Sequence, residues 1–556
     1  MTKMTDEDLQ ALLQRQIEEA VGYLAGEIVD DRIDAMARYN AEPYGNEVEG
    51  RSQVVSPDVR DMIESAMPTF MEIFAGHDNI GTFEPHGPED EEGADQATDY
   101  VNYIWNRDND GFVNVHDWIK DALLQKVGIG KDYWDETLVT KRESLTGVNL
   151  QALEELASDP DIEIIEQSER EPTEEEAPFV PDGVLFDLTI LRTKPRGRVA
   201  CETLPPEEFL VAKKTVSLKG DDFRFAAHRC KKTVTRLIEM GFPEDVVKDL
   251  PSEETDWNAE RQSRFTGDDN TQRWDTPDET MKEVQVYECY IRADYDGDGV
   301  AEMIQATVAG PGYTILKRKG EDSAQAVDDH PFTVISPVRI PHRLIGLSYA
   351  DLVLDIALIK TTLKRVALDN MYSLNNARAA LSNKVNIEDW LANRPGGGVR
   401  VDTNAPDTAG HITAIQTAPI LQHILPVIEH FDKDSELRTG ITRNWQGLDP
   451  KAFDSTFRGV NLLLGQSQMR ILGVARLLAE TGFKERFRKI LRLVINHQDR
   501  ARTVRLRGKW VEIDPKSWNA GMDYNVSIGP SAGTNEQKAA RANEILAIQE
   551  KIVMMQ

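Results

Sequence analysis

One stretch of the chain has the residue types and spacing of a cation site. Asp294-Tyr-Asp296-Gly-Asp298-Gly299 places Asp at the first, third and fifth positions of a loop and Gly at the sixth. Carboxylates in that rhythm, around a turn that Gly makes easily, supply oxygen ligands for Ca2+. In the helix-flanked version of such a loop a bidentate Glu closes the set. Here Gln305 stands at that position, and alternating runs on either side (Glu283–Ile291, Val300–Val308) predict strands instead. Glu302 is then the substitute ligand. The ordinary reading of the same residues is a Gly-rich hairpin turn that binds nothing, and it is the default. The expected cofactor is therefore none, with Ca2+ on Asp294, Asp296, Asp298 and Glu302 as the alternative.

Signatures of catalysis are missing elsewhere. Gly128-Ile-Gly130-Lys131-Asp132 lacks the spacing and the hydroxyl of a phosphate-cradling loop. Gly346-Leu-Ser348 is followed by Tyr349-Ala350, so it is not a nucleophile elbow. His423 and His430 share a helix face with no neighbouring Cys or His partner, and Asp351 and Asp355 read as cap and surface residues. The chain is expected not to be an enzyme. A second group of polar residues invites a different chemistry. Arg443, Asn444, Gln446, Lys451 and Arg458 lie in Thr439–Arg458, a stretch with little apolar periodicity. They are hydrogen-bond donors in an irregular segment. Arg443 and Arg458 can equally pair with Asp449 or Asp454.

Composition limits the partners. The 556 residues carry a formal charge of −31, with 40% hydrophobic residues. A protein that grips DNA is normally basic, because neutralising phosphates supplies most non-specific affinity. The acidic balance has two readings: solubility, or the wall of a conduit that repels a polyanion so that it slides. No window of eighteen uninterrupted apolar residues occurs, so no membrane partner is expected, and Met1–Asp8 lacks the apolar core of a signal peptide. Cys201, Cys230 and Cys289 are three lone thiols without a CxxC, which suits a reducing cytoplasm.

The elements that position these groups follow from periodicity. Thr5–Asn40 reads as one helix capped by Thr5 and Asp8, burying Leu9, Leu12, Leu13, Ile17, Val21, Leu24 and Ile28. Ser56-Pro57 leads a second helix carrying Val59, Ile63, Met67, Phe70 and Phe74. Glu84–Asp95 is a loop, and Gln96–Trp105 and Phe112–Val127 are helices with Trp118 and Leu123 inward. Strand character begins at Gly128. Glu154–Glu176 is an acidic run, expected to be solvated and mobile. Gly183–Ala212 starts a sheet, Thr233–Met240 is a short helix, and Ser252–Glu279 is a long polar loop. Thr503–Ile513 and Tyr524–Ile528 alternate as strands, and Asn535–Val553 is helical.

The stretch from Pro341 to His497 organises the rest. A helix over Ser348–Ser373 opens on a Ser348/Asp351 capping box. Its apolar stripe is Tyr349, Leu352, Ile356, Ile359, Leu363, Val366, Met371 and Leu374, opposite Asp351, Asp355, Lys360, Lys364, Arg365 and Asp369. Lys384–Thr417 contains the turn Pro395-Gly396-Gly397-Gly398 and short strands at Val399, Val401, Ile412 and Ile415. Ile420–Leu437 is helical, with Pro426 a kink or the true start. A third helix spans Val460–His497. Gly465, Gly473 and Gly482 inside it predict a kink or close packing, since each costs about 1 kcal/mol against Ala.

This order resembles the phage portal protein family: stem helix, clip, stem helix, tunnel loop, kinked helix. Arg343-Leu-Ile-Gly346-Leu-Ser348 leading into Asp351-Leu-Val-Leu-Asp355-Ile-Ala-Leu-Ile-Lys360, with Asn370 and Asn375 closing the rod, carries the likeness. So do Gly50-Arg51-Ser52 and the helix ending Pro68-Thr-Phe-Met-Glu-Ile-Phe74, which resemble the N-terminal wing of short-tailed phage portals. The resemblance implies an α+β, mainly helical subunit assembling into a ring. Its parts would be a wing (1–347, with the acidic loop 154–176), a stem helix (348–376), a clip (377–417) and a second stem helix (418–438). A tunnel loop (439–458), whose Arg443, Asn444, Gln446, Lys451 and Arg458 would touch DNA phosphate without special geometry, a long kinked helix (459–498) and a wing end with crown (499–556) would follow. It implies a ring of twelve copies at one capsid vertex, through which double-stranded DNA is packaged, retained and ejected. Its partners would be the major capsid and scaffold proteins, the terminase and then tail adaptor proteins. Its place would be the virion, and the host cytoplasm during assembly. Another ring-forming head–tail adaptor, or a DNA-packaging enzyme, are the alternatives; the paired helices around an insert count against the first, the absent phosphate loop against the second.

Overall fold

The computed structural model describes residues 3–526 apart from 77–78, 160–161, 171–184, 252–258, 265–278, 319, 376–378, 393–396, 402–410, 416, 442–468, 499–501 and 507–508. The chain forms two compact units: residues 1–32, 67–348 and 472–556, and residues 33–66 and 349–471. The architecture is α+β.

Where one N-terminal helix was expected there are two, α1 (Asp6–Leu24) and α2 (Glu27–Tyr39). Thr5 caps α1, its hydroxyl accepting the Asp8 N–H at 3.2 Å. The break falls at Ala25-Gly26, where Gly weakens the helix. Helix α3 (Asp58–Ala75) follows Pro57 and runs through Pro68. The expected loop at Glu84–Asp95 is shorter than its polarity suggests. Strand β1 (Gly81–Glu84) precedes it, and α4 (Glu91–Tyr103) begins five residues ahead of Gln96. Glu91 and Glu92 favour that start because negative charge suits a helix N-terminus. A π-turn (Ile104–Asp108) leads to α5 (Gly111–Gln125), with Trp118 and Leu123 fully buried.

Strand β2 (Gly128–Val148) is 21 residues long. The acidic run after it is ordered where it is described, contrary to expectation. It forms α6 (Leu150–Ser158) and β3 (Ile162–Arg170), the latter paired with β4 (Leu185–Leu204). Leu153, Leu156, Ile162 and Ile164 explain the order, since they pack on Phe186, Leu188 and Ile190 while the carboxylates stay exposed. The chain continues as β5 (Phe209–Val211), β6 (Phe225–Thr233), α7 (Val234–Glu239) and α8 (Glu244–Asp249). The polar stretch 252–279 contains a short helix, α9 (Ala259–Arg264), rather than loop alone. Two ion pairs hold it, one buried, Glu260 with Arg32 at 3.0 Å, and one partly buried, Arg264 with Asp121 at 3.1 Å. Then come β7 (Glu283–Ala293), β8 (Glu302–Ala309), β9 (Thr314–Leu316), β10 (Gln325–Ala326) and β11 (Phe332–Ile335).

In the first unit one sheet runs β10-β8-β7-β6-β5, with β9 beside β8, and another runs β11-β2-β4-β3. Strand β7 is buried on both faces. Leu9, Leu13 and Ile17 of α1 join the core with Cys289 and Ile291, whereas Val234, Leu237 and Val247 of α7 and α8 pack with Val284 and Val286.

The second unit holds α10 (Leu354–Asn375), β12 (Ala379–Leu381), α11 (Ile387–Leu391), β13 (Ile412–Ala414) and α12 (Leu421–Thr439). Helix α10 starts at Leu354 rather than Ser348; residues 349–353 are turns. Helix α12 starts at Leu421, which puts Pro426 in its second turn. Strands β12 and β13 pair antiparallel, and Val385 bridges Val401.

The last long helix is described from 469. In the first unit it passes through a π-turn (Ala479–Phe483) into α13 (Lys484–His497). Gly482 explains the turn's close packing, because a Cβ there would sit 2.1 Å from Ile335 Cγ2 and 2.9 Å from Trp118 Cη2. Gly473 has open space, and Gly465 lies outside the described residues. Strands β14 (Arg502–Leu506) and β15 (Lys509–Ile513) form a hairpin, and β16 (Asp523–Val526) pairs with β1. The predicted helix Asn535–Val553 is outside the described residues.

Helix α13 plugs an aromatic core. Phe483 stacks on Phe74 at 4.3 Å and Phe487 on Tyr524 at 4.6 Å. Between them Arg486 is fully buried. Its guanidinium lies 4.7 Å from the Trp105 ring and 4.8 Å from the Trp118 ring, and it donates to Asp132 at 2.8 Å and to the Glu202 carbonyl at 2.7 Å. Two aromatic faces and a carboxylate replace the water that a buried cation would lose.

Candidate assembly interface

The five polar residues expected to meet phosphate, Arg443, Asn444, Gln446, Lys451 and Arg458, lie outside the described residues. The Asp-rich loop is described. It joins β7 to β8 as a hairpin turn, with Gly297 and Gly299 in the left-handed region at φ 81 and 93. Carboxylate oxygens of Asp294, Asp296 and Asp298 lie within 4.8 Å of one another. They accept backbone N–H groups of the turn: Asp294 from Gly297 at 2.7 Å and Gly299 at 3.0 Å, Asp296 from Asp298 at 3.1 Å, Asp298 from Val300 at 2.7 Å. Glu302 opens β8 opposite Ala293, and the converging group is the three aspartates alone.

A second convergence was not read from the sequence. His228, Cys230 and Glu288 are buried on β6 and β7 with ligand atoms within 4.8 Å. Lysines already fill this place: Lys131 pairs with Glu288, as does Lys232 at 2.6 Å. Burial alone would raise the Glu288 carboxyl, but Lys131 and Lys232 hold it well below the usual range. Burial, then Lys131, lowers the His228 imidazole from its ordinary value, and burial pushes the Cys230 thiol up to about 12. The cluster is a satisfied ionic core rather than a set of open ligands.

The second unit is built around a helical pair, α10 and α12. Arg438, at the end of α12, donates to Asp355, at the start of α10, at 2.7 Å. Asn370, near the end of α10, accepts the Ile420 N–H at 3.2 Å and donates to the Ala418 carbonyl at 3.0 Å. The helices are therefore antiparallel, and the segment between them, with β12, α11 and β13, sits at one end.

Helix α10 is turned inside out relative to its sequence pattern. Its charged face points into the unit. Lys360 is 7% exposed and pairs with both Asp58 and Asp432. Burial alone would lower the Lys360 ammonium, yet the two carboxylates raise it above its ordinary value. Arg365 donates to the Val54 carbonyl at 2.8 Å and pairs with Glu47, and Asp369 accepts the Ser52 N–H at 2.7 Å. Meanwhile Ile359, Val366, Met371 and Leu374 of the predicted buried stripe are exposed, as are Leu358 and Tyr372; only Ile356 of the stripe's members within α10 is buried. On α12, Leu425, Val427 and Leu437 are exposed too. The partners of Lys360 and Arg365 lie tens to hundreds of residues away, so no local spacing announces them.

An apolar stripe left in water beside an inward charged face marks a candidate surface for another molecule to cover. The family model described as phage SU10 portal protein matches residues 9–556, nearly the whole chain, and the chain belongs to this family of phage portal proteins. No curated protein matches it. Family membership places it at the capsid vertex as the head-to-tail connector of genome packaging, consistent with the short-tailed type. Portal proteins are in general structural channels that form homo-oligomeric rings and meet capsid and DNA. Among the described residues no helix is long and apolar enough to cross a membrane.

Proposed function

We propose that α10 and α12 are the staves of a twelve-membered ring whose bore carries double-stranded DNA during packaging, retention and ejection. The observation that carries this reading is the inverted polarity of α10. Its apolar stripe (Ile359, Val366, Met371, Leu374) is exposed in the single chain, which suits cover by a neighbouring copy, while its charged face is held by its own unit. These side chains are already more than half covered, so burying the remainder is worth roughly 0.6–1.4 kcal/mol each, and the ring repeats the gain at every joint. The segment 377–417 is the clip on which the terminase docks first and tail adaptor proteins later. Capsid and scaffold proteins meet the wing, and the ring forms in the host cytoplasm. Arg443, Asn444, Gln446, Lys451 and Arg458 in the tunnel loop form circles of weak phosphate donors, and the overall charge of −31 keeps the duplex sliding.

Ring mass and end-on images of the purified chain test the proposal, together with Ile359→Glu/Val366→Glu. Rings from the wild type, and folded monomers from the variant, are expected. A variant that still forms rings refutes the stave assignment. Arg443→Ala/Lys451→Ala is expected to leave rings intact but change the packaging or retention of DNA; unchanged genome content counts against the tunnel-loop roles.

A further inference from the structure

The β2–β4 ribbon is longer than its own core requires. At its base Asp132 is held by Arg486, Asp135 by Arg198 and Arg236, and Trp134 stacks on His497 at 5.4 Å. Past Glu136 the two strands remain paired as far as Val148 and Phe186, a further reach of about 40 Å. The far end has a small core of its own, made with α6 and β3. Its ion pairs, Arg142–Glu166, Arg170–Asp187 and Arg192–Glu143, close on the arm itself. The arm is thus a stalk with a structured head.

That head is acidic and has an open edge. Among the described residues strand β3 is the outermost of its sheet, and no described strand lies beside one row of its backbone groups. Along it Glu163, Glu166 and Glu169 are exposed, and Ile165, at the bulge between Ile164 and Glu166, is 45% exposed.

Elsewhere in the same unit the sign of the surface reverses. A cleft of about 320 Å3 lies between α1, the β5–β6 connection and the end of β7. Lys213, Lys214, Arg224 and Arg292 line it against the single carboxylate of Glu19, in a chain where acidic residues outnumber basic ones 95 to 64. Lys213, Lys214 and Arg224 are exposed, and among the described residues none of the three has an ion pair. Buried Phe223 and Ile291 form part of the lining.

We infer that the acidic β3 edge at the tip of this arm docks into the Lys213/Lys214/Arg224 cleft of the adjacent copy in the ring. The inference rests on the ring reading and names a second contact in it, apart from the helices. An edge that mixes carboxylates with an exposed isoleucine complements a cationic rim above an apolar lining. Copies of charge −31 repel one another, so an interface that meets negative with positive is where neighbours can adjoin. A head-to-tail contact of this kind is compatible with a closed ring, because each copy offers both halves and a rotation that closes makes a ring of them.

The test uses the full chain with three sets of changes. They are Lys213→Glu/Lys214→Glu/Arg224→Glu in the cleft, Glu163→Lys/Glu166→Lys/Glu169→Lys on the tip, and both together. Ring mass is followed against protein concentration at low and high salt, with circular dichroism to confirm folding. Either reversal alone is expected to raise the assembly midpoint about tenfold (about 1.4 kcal/mol), and the combination to return most of the loss. Wild-type rings weaken as salt rises, the opposite of what relief of like-charge repulsion would give. Intact assembly in the single reversals, or no recovery in the combination, overturns the docking while the ring stands. Lost DNA binding with unchanged rings in the cleft variant also overturns it and assigns the cleft to phosphate. A wild-type chain that stays monomeric overturns the ring reading and the docking with it.

Discussion

Replacing Lys360 by Met tests whether the charged face of α10 truly belongs inside the second unit. The stem of the side chain is retained, and only the ammonium is lost. Lys360 sits between Asp58 and Asp432, whose side chains are 14% and 16% exposed. Removing one member of a buried ionic set costs about 3–5 kcal/mol, mostly because the remaining charge has no compensation. Two carboxylates here keep some contact with water, so the low end applies, about 3 kcal/mol. At roughly 2–4 °C per kcal/mol for a unit of this size, the transition falls by about 6–12 °C. Lys360→Met with Asp58→Asn and Asp432→Asn removes the stranded charges and is expected to regain at least half of that. Thermal melting followed by circular dichroism, with amide exchange over residues 354–375 to assign the transition, reads both numbers. A Lys360→Met chain as stable as the wild type, or a triple variant no better than the single, would show that the inward charges contribute nothing and that the polarity of α10 has another cause.

Further outcomes follow from the first unit. Arg486→Met leaves the buried Asp132 carboxylate without its cation and should destabilise by about 3–5 kcal/mol in chemical unfolding, whereas Arg486→Met/Asp132→Leu should recover much of it. Asp294→Ala deletes the acceptor for two turn N–H groups and should cost about 1–3 kcal/mol. A chelator should leave the wild-type melting temperature unchanged, and a drop on chelation would assign the loop to a cation. Burial raises the Asp121 carboxyl from 3.8 to about 6 despite Arg264. The folded state therefore holds that proton more tightly than the unfolded chain, so stability from this group is full below about pH 4 and declines as pH rises to about 6. Asp121→Asn should flatten that segment of the pH–stability curve, and an unchanged slope refutes the assignment.

The helices and strands with strong periodicity were legible. Thr5 capping α1, the buried stripe of α3, Trp118 in α5, the β7–β8 hairpin and its Asp-rich turn all follow from local spacing. What local spacing could not carry was the direction in which an amphipathic element faces. The stripe on α10 was real, but burial went to the opposite face because Asp58 and Asp432 offered Lys360 partners that hydropathy cannot register. The acidic run was misread for a related reason. Like charge suggested mobility, while the few isoleucines and leucines spaced between the carboxylates were enough to seat α6 and β3 on Phe186, Leu188 and Ile190. Arg486 carried no signal at all, since an arginine in a cationic helix looks solvent-facing until two tryptophans from a distant stretch enclose it.

The first unit is sewn from three separate lengths of chain, and its last length supplies the plug. During synthesis Trp105, Trp118, Phe74 and Asp132 leave the ribosome more than 300 residues before Phe483, Arg486 and Phe487 arrive to cover them. A nascent chain must hold that aromatic socket open until α13 has been made. Premature joining of half-made copies is thereby disfavoured, and a chain cut short before α13 would expose the socket to chaperones and proteases rather than enter an assembly.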